Sequence, residues 1–292
     1  MSLSLNNYRK NNLQNAISGK IDLEFIDTKI SKQAVKKVYQ YGYSKVRFVN
    51  TDNNNTEAIL INTAGGLTSS DIIENDIKMN ENSKAVITSQ AAEKIYKNIS
   101  GIVSINTNIE MDKNSFIQWL PQETIIFDQS KTKRKTSVYI NKYSKFLGLE
   151  SVMFGRQLHG EKIKSGFFSD HWKIYLNEKL SFVDKFIVEE NFKDKLLNKF
   201  IFNDVAFMST IIFYSEELEN NTKDIADFII NKSDTGGFSI INGIGIIKIV
   251  DKKPHNIKIK SNNLIQLIQK NVFNYNYGLP RIWKLLVFYE FD

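Results

Sequence analysis

Short segments in which apolar and polar side chains alternate recur from residue 19 to residue 190, and they constrain the fold most. Successive side chains of a β-strand point to opposite faces, so this alternation is typical of a strand with one buried face. Residues 19–27, 73–79 and 101–110 all show it. The sequence therefore predicts a mainly β chain.

Turn signals separate many of the predicted strands. The asparagine-rich TDNNNT at residues 51–56 lies between apolar segments at 45–49 and 57–61, which predicts a hairpin. Residues 80–83 form a second predicted turn. The charge run KTKRK at residues 131–135 is expected to be a solvated turn as well.

The pattern changes after residue 190. Residues 192–201, 221–231 and 261–271 carry apolar side chains three to five positions apart, which is typical of amphipathic helices. Thr222 and Ser261 are the expected N-caps of the second and third helices, since a hydroxyl can accept from the free N–H groups of the first turn. The sequence predicts two or three α-helices in the C-terminal half.

The arrangement of the strands stays open at this level. The alternation suits a sandwich as well as a stack of strands, and no fixed sequence period supports a formal repeat. With only three prolines and no Gly/Ser-rich run, nothing in the sequence marks a linker. We expect a single domain over residues 1–292.

Composition excludes several classes of protein. The chain has no cysteine, so disulfides, thiolate nucleophiles and iron–sulfur sites are excluded. Its net charge is +7, but lysine is spread along the whole sequence, which does not favour a nucleic-acid partner. No apolar segment has the length of a signal peptide or of a membrane-spanning helix. We expect a soluble, cytoplasmic protein with no membrane partner.

Carboxylates are the main candidate functional groups. They can act as general acids or bases, or as hard oxygen ligands for a divalent cation in transit. Each one can equally anchor a turn or pair with a base such as Arg134 or Arg156. Glu93 and Glu161 are the strongest candidates for a further role. The acidic candidates are Asp71, Glu93, Glu123, Asp128, Glu161 and Asp170.

Histidine offers a second set of candidate ligands. His159, His171 and His255 are the three imidazoles of the chain, and imidazole suits nickel well. A lone histidine is more often a packing or surface residue, and the spacing matches no zinc pattern. His159 and His171 remain weak candidates for contact with a passing metal ion, and no tightly bound cofactor is expected.

Neither a GxSxG nor an HExxH motif occurs, which argues against an enzyme. Aromatic residues gather between residues 273 and 291, with Arg281 beside Trp283. Aromatic residues and arginine are typical anchors of protein interfaces, so Arg281 and Trp283 are candidate partner-binding residues. The alternative, that they fill the core and fasten the C-terminus, is equally open.

Several co-linear segments resemble the urease accessory protein UreD family, called UreH in some systems. They cover most of the chain beyond about residue 50. The segments are NTAGGLTSSD (62–71), TSQAAEKIYKN (88–98), WLPQETIIFDQS (119–130), MFGRQLHGE (153–161), GFFSDHWKIY (166–175) and GLPRIW (278–283).

This resemblance implies a fold and a function. Proteins of the family fold as a β-helical stack of short strands with a few helices. They bind the urease structural subunits and recruit a UreF-type accessory protein and, through it, a UreG-type GTPase that delivers nickel. The complex promotes nickel insertion into the urease active site, and a water-filled internal passage has been proposed as the nickel route.

Two other functions remain open. A generic β-scaffold would bind proteins without a part in metal delivery, and it would bind neither urease nor a UreF-type protein. A hydrolase would need an enclosed pocket in which a nucleophile is hydrogen-bonded to His159 or His171.

Overall fold

The computed structural model describes the greater part of the chain. The described residues are 18–27, 29, 34–50, 56–155, 163–189, 192–198, 205–218, 222–232, 235–275 and 277–286.

Strands dominate the chain up to residue 189, and the helices follow, as predicted. The strands are β1 (Ser18–Phe25), β2 (Val35–Gly42), β3 (Ser44–Asn50), β4 (Thr56–Asn62), β5 (Ile72–Met79), β6 (Lys84–Ser89), β7 (Glu93–Ile95), β8 (Val103–Met111), β9 (Phe116–Leu120), β10 (Thr124–Ile126), β11 (Lys131–Ile140), β12 (Lys145–Phe154), β13 (Phe167–Leu176), β14 (Lys179–Glu189), β15 (Phe207–Tyr214), β16 (Gly236–Ile241) and β17 (Ile244–Asp251). The helices are α1 (Phe192–Leu197), α2 (Lys223–Lys232), α3 (Pro254–Leu267) and α4 (Arg281–Leu286), and a π-helical turn, Ile268–Val272, continues α3.

The strands form two sheets between which the chain winds as a β-solenoid of about four turns. Sheet 1 has the order β14-β13-β11-β8-β5-β1-β2, and sheet 2 the order β16-β17-β15-β12-β9-β6-β4-β3. Neighbours among β1, β5, β8, β11 and β13 are parallel, as are those among β4, β6, β9 and β12. The predicted β-helical stack is confirmed. β3 and β4 pair antiparallel, as the predicted hairpin requires, and residues 51–55 of its turn lie outside the described residues.

Three turns stack on one another where the chain passes from sheet 1 to sheet 2. Each closes with a hydrogen bond from a serine N–H to the carbonyl three residues earlier, and its penultimate residue has a positive φ. Neighbouring turns are joined by further backbone hydrogen bonds, such as the one from Asn82 N–H to Lys113 O (3.2 Å). The closing pairs are Ser83 with Asn80 (3.1 Å), Ser115 with Asp112 (3.2 Å) and Ser144 with Asn141 (3.3 Å).

The apolar core fills the space between the sheets, and a second core lies between sheet 2 and the helices. The central strands of sheet 2 are covered on both faces, so they lack the polar–apolar alternation, as in FMSTIIFY of β15, where every residue is buried. The outer face of sheet 1 is solvated, so its strands alternate. Within the described residues, no helix has the length and apolar character needed to cross a bilayer.

Two local predictions are wrong. Residues 131–135 are the first half of β11 rather than a turn, because the lysines alternate with inward-facing side chains, Thr132 and Arg134. The third helix begins at Pro254 rather than beside Ser261. Pro254 holds φ near its helical value and holds Lys253 extended (φ −115°, ψ 127°), so the helix starts there and Ser261 is buried in its interior.

Candidate functional site

A cavity of about 230 Å³ lies between the two sheets. Sheet 1 contributes inner residues such as Asn75, Thr107 and Arg134, and sheet 2 contributes Trp119 and Glu150. The register explains the polar wall, since Asn75 pairs with Thr107 across neighbouring parallel strands. Their side chains form a buried hydrogen bond of 3.3 Å. A row of polar residues therefore crosses an otherwise apolar interior.

Glu93 contributes an acidic group to this cavity. It is the first residue of β7, and its backbone N–H donates to Glu123 O (2.9 Å). Its Oε1 accepts a hydrogen bond from Asn62 Nδ2 (2.8 Å). Burial nevertheless raises the pKa of Glu93 to about 7, because the hydrogen bonds from Asn62 and from the Lys94 backbone do not replace the water that the carboxylate would bind in solution. Glu93 is therefore half ionised near neutral pH.

Arg134 reaches into the same cavity and binds two buried carboxylates. Its Nε and Nη2 donate to the two carboxylate oxygens of Asp170 (3.0 and 2.7 Å), which is a bidentate pair. Its Nη1 lies 2.6 Å from Glu150 Oε2 and donates to Thr124 Oγ1 (3.0 Å). All three charged side chains are at most 5% exposed.

The protonation of this cluster follows from burial and pairing. Burial alone would lower the pKa of Arg134, but the carboxylates of Asp170 and Glu150 outweigh it and raise the pKa, so the guanidinium stays charged. Burial raises the pKa of Glu150, although Arg134 lies beside it and Trp119 Nε1 donates to it (2.9 Å). Arg134 is thus the positive group shared by two buried acidic side chains, and burial makes the ionised form of Glu150 less favourable than it is in water.

Asp170 pairs with Arg134, which is the structural alternative to metal binding that the sequence left open. Asp71 and Asp128 anchor turns. Asp71 Oδ2 accepts from Thr68 N–H (2.9 Å), and Asp128 Oδ1 accepts from the N–H groups of Lys164 (2.7 Å) and Ser165 (3.1 Å).

The pKa values of Asp128 and Tyr43 show how the electrostatic surroundings differ between these positions. Burial alone would raise the pKa of Asp128, but the backbone N–H donors outweigh it and lower the pKa. Burial, reinforced by the nearby charges of Asp71 and Glu93, raises the pKa of Tyr43, whose hydroxyl donates to Ile72 O (2.6 Å). Asp71 and Glu93 therefore lie on the same side of the solenoid.

His171 lies on the outer face of sheet 1, away from the cavity. Burial lowers its pKa, and the neighbouring Lys173, Lys185 and Lys135 lower it further. The neighbouring positive charges repel a cation, so this is a poor site for nickel. His171 also lies on the outer face of the sheet and not in the enclosed pocket that the hydrolase hypothesis requires. His159 and Glu161 lie outside the described residues. Within the described part of the chain, no three His, Asp or Glu side chains are close enough to hold a metal ion.

The C-terminal candidates fasten helix α4 to the outer face of sheet 2. Trp283 is 4% exposed, and its Nε1 donates to Thr88 Oγ1 (3.0 Å). The backbone N–H of Arg281 donates to both carboxylate oxygens of Glu57 (3.1 and 3.2 Å). Trp283 is thus a core residue in this structure, whereas Arg281 is exposed at the surface.

The sequence identified Glu93 but missed the role of Glu150. Glu150 interrupts the apolar run FLGLESVMF of β12. An acidic residue inside an otherwise apolar strand is the signal that could have identified it. Arg134 was hidden by the lysines around it, and only the strand register shows that it faces inward.

The comparisons with known proteins agree on one family. The family model described as UreD urease accessory protein matches residues 18–284. A urease accessory protein UreD from Rhizobium johnstonii is 28% identical over 251 residues, which cover 86% of this chain and 89% of the relative. The urease accessory protein UreD 1 of Brucella anthropi is 29% identical over 273 residues, with 91% and 93% covered. Over a shorter stretch of 140 residues, covering 48% of this chain and 51% of the relative, UreD of Rhizobium etli is 39% identical. The chain belongs to the UreD urease accessory protein family.

Proposed function

We propose that this chain is a non-catalytic accessory protein that binds the urease apoprotein in the cytoplasm and promotes insertion of nickel into its active site. The family match over residues 18–284 carries this proposal. The relatives are named urease accessory proteins, and they align with almost the whole chain.

The same proposal includes two further partners. A UreF-type accessory protein binds this chain, and a UreG-type GTPase joins through it and brings the metal ion. The chain then works by holding these proteins together with urease while the ion passes between them.

The cavity between the sheets is the proposed part of the nickel route. Both sheets line it, and Glu93 supplies a carboxylate in its wall. A carboxylate with a pKa of about 7 holds a proton about half of the time at neutral pH, so an arriving cation can displace that proton. Oxygen ligands of this kind bind nickel less tightly than thiolates do, and a transit site must also release the ion.

Arg134 keeps the deeper part of the cavity from trapping the cation. Without it, Glu150 and Asp170 would be two buried acidic side chains with no positive partner, and carboxylate oxygens are ligands that divalent cations prefer. The Arg134 guanidinium instead forms ion pairs with both side chains. In this proposal Glu93 is the carboxylate that meets the ion, and the Arg134 cluster shapes the wall.

Co-expression with urease tests both levels of the proposal. Urease is produced with no accessory chain of this type, with the wild type, with Glu93→Gln, and with Glu81→Gln as a matched control on an exposed turn. Nickel per urease active site is then measured by atomic spectroscopy.

We expect full loading with the wild type and with Glu81→Gln, and a loss of severalfold with Glu93→Gln. Equal nickel content with and without the wild-type chain contradicts the accessory function. Full loading with Glu93→Gln leaves that function intact but removes Glu93 from the route.

A further inference from the structure

The outer face of sheet 1 has two halves that differ in how they balance charge. At the β1–β5 end, lysines pair with carboxylates on the same face. Lys20 lies 2.8 Å from Asp76 and 3.4 Å from Glu74, and Lys36 lies 3.0 Å from Glu24. This half neutralises its own charge.

The β11–β13–β14 half carries unpaired lysines. In the part of the chain that the structure describes, none of five lysines on these strands has a carboxylate within ion-pair distance, and Lys133 lies instead 5.8 Å from the centre of the Phe167 ring. We call this set the lysine face. It consists of Lys131, Lys133, Lys135, Lys173 and Lys185.

The strand register gives the layout of the lysine face. Lys135 pairs with His171, and His171 pairs with Lys185, so three basic side chains stand in one row across the sheet. The next row contains Lys173 beside Val183. The lowered pKa of His171 leaves Lys135 and Lys185 as the charged members of this row, two strand spacings or roughly 10 Å apart. Lys135 is flanked by Asn106 and His171, and Lys185 by His171, so neither lysine has a carboxylate opposite it on the sheet.

Exposed aliphatic side chains lie among the lysines. Leu180, Val183 and Ile187 of the edge strand β14 are 46%, 45% and 43% exposed. Ile187 pairs with Ser169, which in turn pairs with Lys133, so apolar and basic groups alternate over the same area. Apolar groups with charged neighbours are typical of protein–protein interfaces, and a flat sheet offers no groove for a nucleic-acid backbone.

We propose that the lysine face and the exposed aliphatic residues of β14 bind a carboxylate-bearing surface of a partner protein. Carboxylates opposite Lys133, Lys135, Lys173 and Lys185 would provide the counter-charges that these lysines lack among the described residues. The aliphatic residues would be covered at the same time. The inference rests on the proposed function for its choice of probe, since urease and a UreF-type protein are the proposed partners.

The test measures binding of the purified full-length chain to urease apoprotein and to the UreF-type protein, each separately, at 0.15 M salt. The variant is Lys133→Glu/Lys173→Glu/Lys185→Glu. The matched control, Lys97→Glu/Lys113→Glu/Lys142→Glu, changes the net charge by the same amount at exposed lysines of other turns. Thermal unfolding of both variants checks that they are folded.

We expect the lysine-face variant to bind one of the two proteins at least about tenfold more weakly, with a reduced dependence on salt, and the control to stay within about threefold of the wild type. Equal effects of the two variants, or none, would overturn the inference and leave the proposed function standing. Wild-type chain that binds neither protein contradicts the proposed function itself. Displacement of the bound protein by a 20-nucleotide single-stranded DNA, at equal concentration, would assign the face to a nucleic acid instead and also overturn the inference.

Discussion

Replacing Glu93 by glutamine isolates the effect of a half-buried carboxyl group on stability. Glutamine has nearly the same shape, and its Oε1 can still accept the hydrogen bond that Asn62 Nδ2 donates at 2.8 Å. The substitution therefore removes the proton equilibrium and keeps the packing. The difference in the free energy of unfolding between the two proteins reports what it costs to ionise Glu93 inside the cavity.

The magnitude follows from the pKa of Glu93, which rises from 4.5 to about 7 on folding. At low pH the carboxyl is protonated in both states. As the pH rises, the unfolded chain ionises first, so unfolding becomes more favourable until the folded protein ionises as well, near pH 7. Each pKa unit corresponds to about 1.4 kcal/mol, so the wild type loses about 3 kcal/mol in all over this range.

Denaturant unfolding of both proteins at pH 5.5 and pH 8 measures this loss. Part of it has already occurred at pH 5.5, so we expect the stability advantage of Glu93→Gln to grow by about 2 kcal/mol between the two pH values. The variant Glu81→Gln is the control, because Glu81 is exposed on a stacked turn. This variant makes the same chemical change at a solvent-exposed position away from the cavity.

An advantage of Glu93→Gln that is the same at both pH values would refute the reasoning. It would mean that Glu93 ionises as freely in the folded protein as in water. The argument that a cation displaces a proton from Glu93 at neutral pH would fail with it.

Other substitutions probe the interior around the cavity. Arg134→Met leaves Glu150 and Asp170 without their buried partner, and we expect a loss of about 3–5 kcal/mol in denaturant unfolding. The triple variant Arg134→Met/Glu150→Gln/Asp170→Asn should recover a large part of that loss, and no recovery would argue against charge burial as its cause. Gly148→Ala places a Cβ 2.7 Å from Phe146 Cζ and 2.9 Å from Trp172 Cη2, so we expect a loss of about 1–3 kcal/mol; an unchanged melting temperature would contradict this.

The strands were predictable from the residues because burial on one face imposes a period of two. β1, β5 and β8 were each found within two or three residues of their bounds. The stack itself came only from the family resemblance. Alternation reports that one face of a strand is buried, and it says nothing about which other strand lies beside it.

A repeat of uneven length explains why no fixed period was found. Equivalent residues on successive turns are 32 apart for Asn75 and Thr107, 29 apart for Ser115 and Ser144, and 36 apart for the paired Arg134 and Asp170. The stacked turns do share a residue pattern, in which an asparagine or aspartate precedes a serine by three positions. That pattern was the available signal for the solenoid, and a search for a constant spacing could not detect it.

Only part of the candidate site was predictable, because the sequence does not show which strands are neighbours. Glu93 was noticed as an acidic residue within the family segment, and the structure adds that it lines the cavity. Arg134 was assigned to a solvated turn, because a run of basic residues on its own is usually exposed. Its inward position depends on the alternation of β11 continuing through the lysines, which is visible only once β8 and β13 flank the strand.

The polar interior residues lie in rows set back from the stacked turns, with apolar clusters on both sides of them, and they belong to rows rather than to any one strand. Beside the turns, Met79 and Met111 pair across β5 and β8, and the inner row is apolar. Four residues earlier on each strand, the inner row contains Asn75 and Thr107. The next inner row along β11 and β13 brings Arg134 against Asp170. Each row takes one residue from every turn of the solenoid, so a charged residue on one turn is neutralised by a residue about thirty positions away. The apolar rows hold the sheets together, and the polar rows can therefore form a cavity without opening the fold.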